Sequence, residues 1–157
     1  MKIHWKELIL SLFICFLPAL FGSLFMIGTI DSWYASLNKP WFTPPNWVFG
    51  PVWTALYLLI GISLYLIWIS RTNTFRKTTA LSFFGIQLVL NALWTPVFFS
   101  AQSIPFSLII IFALDIIVII TLWRFYELEK RAGYLLIPYL TWLCIATLLN
   151  LSVFILN

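Results

Sequence analysis

The stretch TTALSFFGIQLVLNALWTPVFFSAQSIPFSLIIIFAL, residues 78–114, decides the fold class of this chain, because it contains no charged side chain. A transmembrane helix needs only about 20 apolar residues, so this stretch is too long for a single span. Its clearest turn signal is the segment SAQSIP at residues 100–105. We therefore expect two spans here, at residues 80–100 and 106–123.

The rest of the chain extends this pattern to five spans. Similar apolar stretches occupy residues 8–27, 48–70 and 133–156. Of all residues, 62% are hydrophobic and only 9% are charged, and the mean hydropathy is +1.01, which is incompatible with a water-soluble surface. The first stretch is too long for the apolar part of a signal peptide and lacks a small-residue cleavage site. The sequence thus predicts an all-α integral membrane bundle of five helices, one domain over residues 1–157.

The distribution of basic residues predicts how the bundle is oriented in the membrane. Of the nine Lys and Arg residues, Lys39 alone falls on the C-terminal side of the bundle. The other eight share the N-terminal side: Lys2, Lys6, Arg71, Arg76, Lys77, Arg124, Lys130 and Arg131. Because positively charged flanks tend to remain cytoplasmic, we expect the N-terminus inside and the C-terminus outside. The net charge of +4 is then mostly a topology signal, with attraction to anionic membrane lipid as a second role, and not a nucleic-acid surface.

Residues suited to metal or redox chemistry are scarce within the predicted spans. Cys15 and Cys144 lie in separate apolar stretches without a neighbouring histidine, so packing is their expected role. His4 is the single histidine and lies in the N-terminal tail, which excludes imidazole ligation of a haem inside the spans. With no nucleophile and base pair, metal site or nucleotide-binding loop, the sequence argues against a conventional enzyme.

Polar side chains inside the spans are informative, because helices in lipid associate through packing and hydrogen bonds. Gln87 and Asn91 are four residues apart on one face of the third span, and Asn150 lies in the fifth. We expect structural hydrogen bonds from these amides, worth about 1 kcal/mol each. Asp115, the one ionisable residue deep within a span, must face protein, and structural and functional roles fit it equally well.

Aromatic and amide residues of three spans lie at similar depths, counted from the outer helix ends at about 1.5 Å per residue. Trp53, Asn91, Trp94, Ala146 and Asn150 fall at about 9 to 15 Å, and Trp142 at about 21 Å. The longest loop, residues 28–45, lies above this level and carries four aromatic side chains. A cavity closed by this loop is geometrically feasible, although the pattern alone favours packing over ligand contact for the tryptophans.

Several motifs resemble those of the translocator protein family, also called tryptophan-rich sensory proteins or peripheral benzodiazepine receptor homologues. The most specific are WYASLNKP at residues 33–40, TPP at residues 43–45 and FGPVWTALY at residues 49–57. Further matches are NALW at residues 91–94, FF at residues 98–99, Asp115, and PYLTW at residues 138–142 followed by Ala146 and Asn150. The resemblance covers essentially the whole chain.

The resemblance implies a five-helix bundle, usually a homodimer, whose first loop is the lid of a pocket for porphyrins and synthetic isoquinoline or benzodiazepine ligands. The family's ligand-contacting positions correspond here to Trp33, Tyr34, Trp53, Asn91, Trp94, Trp142 and Ala146. No cofactor or metal is implied beyond porphyrin as the ligand. The expected function is therefore a membrane receptor or carrier for tetrapyrroles.

Two alternatives to a receptor or carrier remain open. One is light-dependent porphyrin oxidation, in which the oxidisable indoles of Trp53 and Trp142 would take part. The other is a non-catalytic scaffold or stress sensor, for which a small-residue helix face around Gly61, with Tyr57 and Tyr65, would suffice.

The chain departs from the family pattern in two places. The family commonly has Lys-Pro-x-Trp-x-Pro-Pro, whereas residues 39–45 read KPWFTPP, with Phe42 at the tryptophan position and an extra indole at Trp41. This difference predicts altered contacts between loop and ligand. Animal members carry a cholesterol motif after the fifth helix, in which Tyr is soon followed by Arg, and residues 151–155 read LSVFI. Its absence argues against sterol binding.

Overall fold

A computed structural model describes residues 3–157 as a bundle of long helices. The helices are α1 Trp5–Met26, α2 Asn46–Ile69, α3 Thr74–Thr95, α4 Ile104–Leu128 and α5 Lys130–Leu156. Within the described residues these five are long and apolar enough to cross a membrane, and no strand is formed. The predicted fold class, an all-α membrane bundle of five helices, is confirmed. Lys2, one of the basic residues used for orientation, lies outside the described residues.

Every helix begins two to six residues before its predicted span, because those spans were bounded largely by uncharged sequence whereas helix ends depend on capping. Three helices also end earlier than predicted, at Met26, Ile69 and Thr95 instead of residues 27, 70 and 100. The third helix begins at Thr74 and not at residue 80, since the Asn73 side chain accepts hydrogen bonds from the backbone N–H groups of Phe75 and Arg76. The fifth begins at Lys130 and not at residue 133, where the Glu129 side chain caps the N–H of Arg131. The fourth continues five residues past its predicted end, to Leu128.

The connections on the loop side are partly helical. After α3 the chain continues through a π-helical turn, Pro96–Ser100, before the break that precedes α4. Gln102 in that break has a φ of 50°, so the chain reverses within the predicted junction. Residues 28–45, predicted as a loop, contain a second π-helical turn, Ile30–Tyr34. We call the half of the bundle beside residues 28–45 the loop half, and the half beside the α2–α3 and α4–α5 connections the basic half.

Small and flat side chains bring the helices close together in the basic half. A Cβ atom at Gly133 would lie 2.8 Å from Cα of Tyr126, so α4 and α5 touch nearly backbone to backbone. Ser63 donates a hydrogen bond of 2.7 Å to the carbonyl of Ala132, which joins α2 to α5. The rings of Phe84 and Phe125 stack between α3 and α4 with centroids 5.4 Å apart. This half is therefore a tightly packed core.

The helix face around Gly61 packs against α1 inside the bundle. A Cβ atom there would lie 2.7 Å from a methyl carbon of Leu12 on α1, and Tyr57 and Tyr65 are both buried. The expectation that this face could dock a partner in a scaffold is therefore wrong, because α1 already covers it. Of the two cysteines, Cys15 is buried and Cys144 is exposed towards the surroundings of the bundle.

Candidate functional site

A cavity of about 350 Å³ lies in the loop half, between all five helices and the first loop. This volume falls within the range of roughly 300 to 1,000 Å³ that is usual for small-molecule sites. The cavity is lined by six of the seven residues that the resemblance assigns to ligand contact: Tyr34, Trp53, Asn91, Trp94, Trp142 and Ala146. Their contact with a ligand stays a prediction.

Trp33, the seventh residue, does not line the cavity. Its indole instead packs edge-on against Phe98, with ring centroids 5.3 Å apart. Trp33 and Tyr34 are consecutive on a helical turn, so their side chains cannot share one face. Tyr34 points inward, and Trp33 supports the cavity wall from outside through Phe98.

The aromatic walls are held in place by neighbouring rings. Trp53 stacks on Tyr57, with centroids 5.4 Å apart and ring planes inclined by 28°. Trp94 stacks on Phe98 at 5.0 Å, and Trp142 meets Phe49 edge-on at 5.9 Å. Such pairs contribute about 0.5 to 1.5 kcal/mol each beyond the area they bury. The indoles are thus fixed before any ligand arrives.

A buried hydrogen-bonded network forms one end of the cavity. Tyr57 donates to Oδ1 of Asn91 at 2.7 Å, and Nδ2 of Asn91 donates to the Tyr139 hydroxyl at 3.1 Å. Tyr139 in turn donates to Oε1 of Gln87 at 3.0 Å. Asn91 lines the cavity whereas Gln87 and Tyr139 do not. The two tyrosines therefore fix the amide of Asn91, which they present to the cavity in one orientation.

Two indole donors of the cavity wall have no hydrogen-bond partner among residues 3–157. They are the buried Nε1 groups of Trp94 and Trp142. A buried polar group without a partner costs about 1 to 3 kcal/mol.

The other two polar residues predicted inside the spans link α4 to α5. Thr147 donates a hydrogen bond of 2.7 Å to the carboxyl group of Asp115, which does not line the cavity. Nδ2 of Asn150 donates to the Ser107 hydroxyl at 3.1 Å, and Asn150 borders the cavity. The geometry thus gives Asp115 a structural partner on the neighbouring helix.

The groups that line the cavity are electrically neutral. Amides, hydroxyls and indoles supply its polar atoms, and none of its lining residues is Asp, Glu, Lys, Arg or His. Burial raises the pKa of the Tyr34 hydroxyl, which keeps that group protonated. Among residues 3–157, no group of three or more His, Cys, Asp or Glu side chains is placed to hold a metal ion. The arrangement offers stacking surface and neutral hydrogen bonds.

The loop above the cavity is tied down by Lys39 and Asn38. The Lys39 ammonium donates to the carbonyl groups of Tyr34, Leu37 and Ala35, at 2.7, 3.2 and 3.3 Å. The backbone N–H of Asn38 donates to the Asn157 side chain, which donates back to the Asn38 carbonyl, both at 3.0 Å. The loop is therefore closed on itself and fastened to the end of α5.

The extra indole of the loop does not reach the cavity. Trp41 is 95% exposed and packs edge-on against Phe42. Neither residue lines the cavity. The departure from the family motif therefore lies on the outer surface of the loop, and the predicted change in contacts between loop and ligand does not involve the cavity wall.

Sequence reasoning missed the contribution of α1 to the site. Phe16, Ala19 and Gly22 line the cavity from α1. A Cβ atom at Gly22 would lie 3.0 Å from the Thr95 hydroxyl, so α1 approaches α3 closely at this point. The small residues Ala19 and Gly22, three apart, were the available signal, since small residues mark close helix contacts in membranes.

Comparison with known proteins supports one family assignment. The TspO/MBR family model matches residues 11–156. The chain is 44% identical to tryptophan-rich protein TspO of Archaeoglobus fulgidus over 136 residues, 87% of each chain. It is 37% identical to the tryptophan-rich sensory protein of Cereibacter sphaeroides over 157 residues, 100% of this chain and 95% of the relative. It is 38% identical to the human translocator protein over 133 residues, 84% of this chain and 79% of the relative. With the motifs and the helical bundle, these matches show that the chain belongs to the TspO/MBR family.

Proposed function

We propose that this protein is a membrane receptor or carrier that binds tetrapyrroles, or similar flat hydrophobic ligands, in the cavity of the loop half. The observation that carries the proposal is a neutral cavity walled by the three indoles of Trp53, Trp94 and Trp142. Flat aromatic macrocycles stack on such walls, and their ring nitrogens or substituent oxygens accept hydrogen bonds. Kinship with proteins named translocator and sensory protein supports transport or sensing.

Titration of the detergent-purified protein with protoporphyrin, followed by tryptophan fluorescence, tests this proposal. We expect saturable quenching in the parent, and about fivefold weaker binding in Trp142→Phe, because that variant loses aromatic stacking area worth about 1 kcal/mol. Trp53→Phe should also weaken binding by removing stacking area. Trp47→Phe is the matched control, since Trp47 is 74% exposed and does not line the cavity. Unsaturable quenching, or equal affinities in all variants, refutes the proposal.

Light-driven porphyrin oxidation is a second candidate, favoured by the placement of Trp53 and Trp142 on the same cavity. Both oxidisable rings would then lie beside a bound photosensitiser. Illumination of the complex, with the porphyrin absorbance followed over time, separates this activity from binding alone. Loss of absorbance no faster than for free porphyrin in detergent would exclude it.

We infer that the N-terminus and the basic half lie on the cytoplasmic side, so that the cavity is near the outer face. The distribution of Lys and Arg supports this orientation. A membrane-impermeant thiol reagent applied to intact cells should label Ser36→Cys and not Thr74→Cys. The reverse pattern would overturn the orientation, and equal labelling would indicate dual insertion.

A further inference from the structure

A second, smaller hollow of about 250 Å³ lies in the basic half and shares no lining residue with the large cavity. It lies between the first turns of α3 and the last turns of α4. Its lining residues are Phe75, Arg76, Thr79, Arg124, Glu127 and Leu128. We call it the basic groove.

The basic groove holds two guanidinium groups and one carboxylate. Glu127 Oε2 lies 3.9 Å from Arg76 and 3.7 Å from Arg124. Both distances exceed hydrogen-bonding range, so one carboxylate oxygen is shared loosely by two cations. The groove therefore keeps a net positive charge.

The guanidinium donors are largely unused. Among residues 3–157, neither Arg76 nor Arg124 donates a side-chain hydrogen bond, and Nε of Arg124 is buried without a partner. Lys77 contrasts with them, because its ammonium is bound to the carbonyl groups of Trp68 and Ser70. Arginine presents several N–H donors in a planar fork that matches phosphate oxygens. The groove thus has both the charge and the free donors for a phosphate.

Exposed apolar rings flank these charges. Phe75 is 79% exposed, and the indole of Trp123, 55% exposed, lies against the Arg124 guanidinium at 5.0 Å from the ring centroid. Exposed tryptophan beside arginine at the end of a membrane span is typical of the headgroup level. A soluble phosphate would leave these rings unused, whereas a lipid would cover them.

We propose that the basic groove binds the phosphodiester of an anionic phospholipid. The phosphate lies between Arg76 and Arg124, and the glycerol and upper acyl chain cover Phe75 and Trp123. The Glu127 carboxylate, which lies near both arginines, repels the phosphate. Its presence limits affinity, but the groove keeps a net positive charge, so a headgroup with a net negative charge is preferred over a zwitterionic one.

Native mass spectrometry of the delipidated full-length protein tests this site with phosphatidylglycerol and phosphatidylcholine as probes. We expect phosphatidylglycerol to bind about fivefold more tightly, the factor that corresponds to roughly 1 kcal/mol per basic residue near the membrane surface. Arg76→Gln and Arg124→Gln should each abolish this preference. Arg124→Lys should keep part of it, because the charge remains and the fork is lost. Arg131→Gln, which removes an exposed charge at the same end of the bundle, should keep it fully.

Several results would overturn the proposal. If Arg131→Gln lost the preference for phosphatidylglycerol as fully as the groove variants, the lipid would be attracted by the basic flanks in general and not by the groove. Displacement of the lipid by millimolar inorganic phosphate would assign the groove to a soluble phosphate. An unchanged preference in Arg124→Gln and Arg76→Gln, with thermal unfolding equal to the parent, would show that the groove takes no part.

Discussion

The same five helices enclose a large cavity in one half and a tightly packed core in the other, where the smaller basic groove lies only between the ends of α3 and α4. In the loop half, large rings such as Trp53, Trp94 and Trp142 stand around a cavity of about 350 Å³. In the basic half, Gly133 and Ala132 let α5 touch α4 and α2, and Phe84 of α3 stacks on Phe125 of α4. Large rigid side chains hold helices apart, whereas small side chains let helices approach each other closely. The contrast shows that the close helix contacts that stabilise the bundle lie in the basic half, whereas the surface available for binding lies in the loop half.

The largest effect is expected at the closest helix contact in the basic half. Gly133→Ala would place a methyl group 2.6 to 2.9 Å from the Tyr126 backbone and Cβ, where nothing flexible can move aside. We expect destabilisation of about 3 kcal/mol, at the upper end for overpacking. Thermal unfolding in detergent, followed by circular dichroism, measures it.

Gly85→Ala is the matched control for that variant. Nothing lies within 4 Å of a Cβ atom at Gly85, so the added methyl group should leave stability unchanged or raise it by about 0.5 to 1 kcal/mol. Equal unfolding temperatures for the two variants would contradict the tight contact between α4 and α5 in the basic half.

An intermediate effect is expected in the network that separates the two halves. Tyr139→Phe leaves Nδ2 of Asn91 and Oε1 of Gln87 without their partner, whereas Tyr57→Phe affects only Oδ1 of Asn91. A loss of about 1 to 3 kcal/mol is expected for Tyr139→Phe, and a smaller loss for Tyr57→Phe. Chemical unfolding of both variants ranks them. The opposite order would show that the network does not fix Asn91 as described.

The smallest effect on stability is expected in the loop. Lys39→Met removes the hydrogen bonds that close residues 34–37 without touching the helix packing. We expect porphyrin to dissociate about tenfold faster, as for the loss of one to two hydrogen bonds, with little change in unfolding temperature. Stopped-flow fluorescence measures the rate, with Lys6→Met as the control. An unchanged rate would mean that the loop does not hold the ligand.

Much of the fold could be predicted because lipid imposes a simple requirement on sequence. Long uncharged runs have to be helices, so the number of spans was clear even where residues 78–114 joined two of them. The helix ends were less accurate, because Asn73 and Glu129 cap helices from polar sequence that hydropathy places outside the membrane. Local capping and lipid contact are separate physical signals.

The site was only partly predictable for a different reason. Trp53, Asn91 and Ala146 could be matched in depth, because helical rise is regular. That Trp33 faces away while Tyr34 faces inward depends on the turn that carries them. The contribution of α1 depends on which face of an almost uniformly apolar helix turns inward. Ser11 and Gly22 lie on the buried face, but so few small residues among large apolar ones do not specify it.

The central claim is that the hollow in the loop half is a ligand site, and one paired titration tests it most directly. Ala146→Phe fills the cavity from α5, whereas Ala55→Phe adds the same ring at an exposed position of α2. Both variants should fold, since overfilling usually costs only about 1 to 3 kcal/mol. We predict that Ala146→Phe binds protoporphyrin at least about tenfold more weakly than the parent, a difference of about 1.4 kcal/mol, while Ala55→Phe binds like the parent. A well-folded Ala146→Phe variant that retains the parent's affinity would contradict the claim.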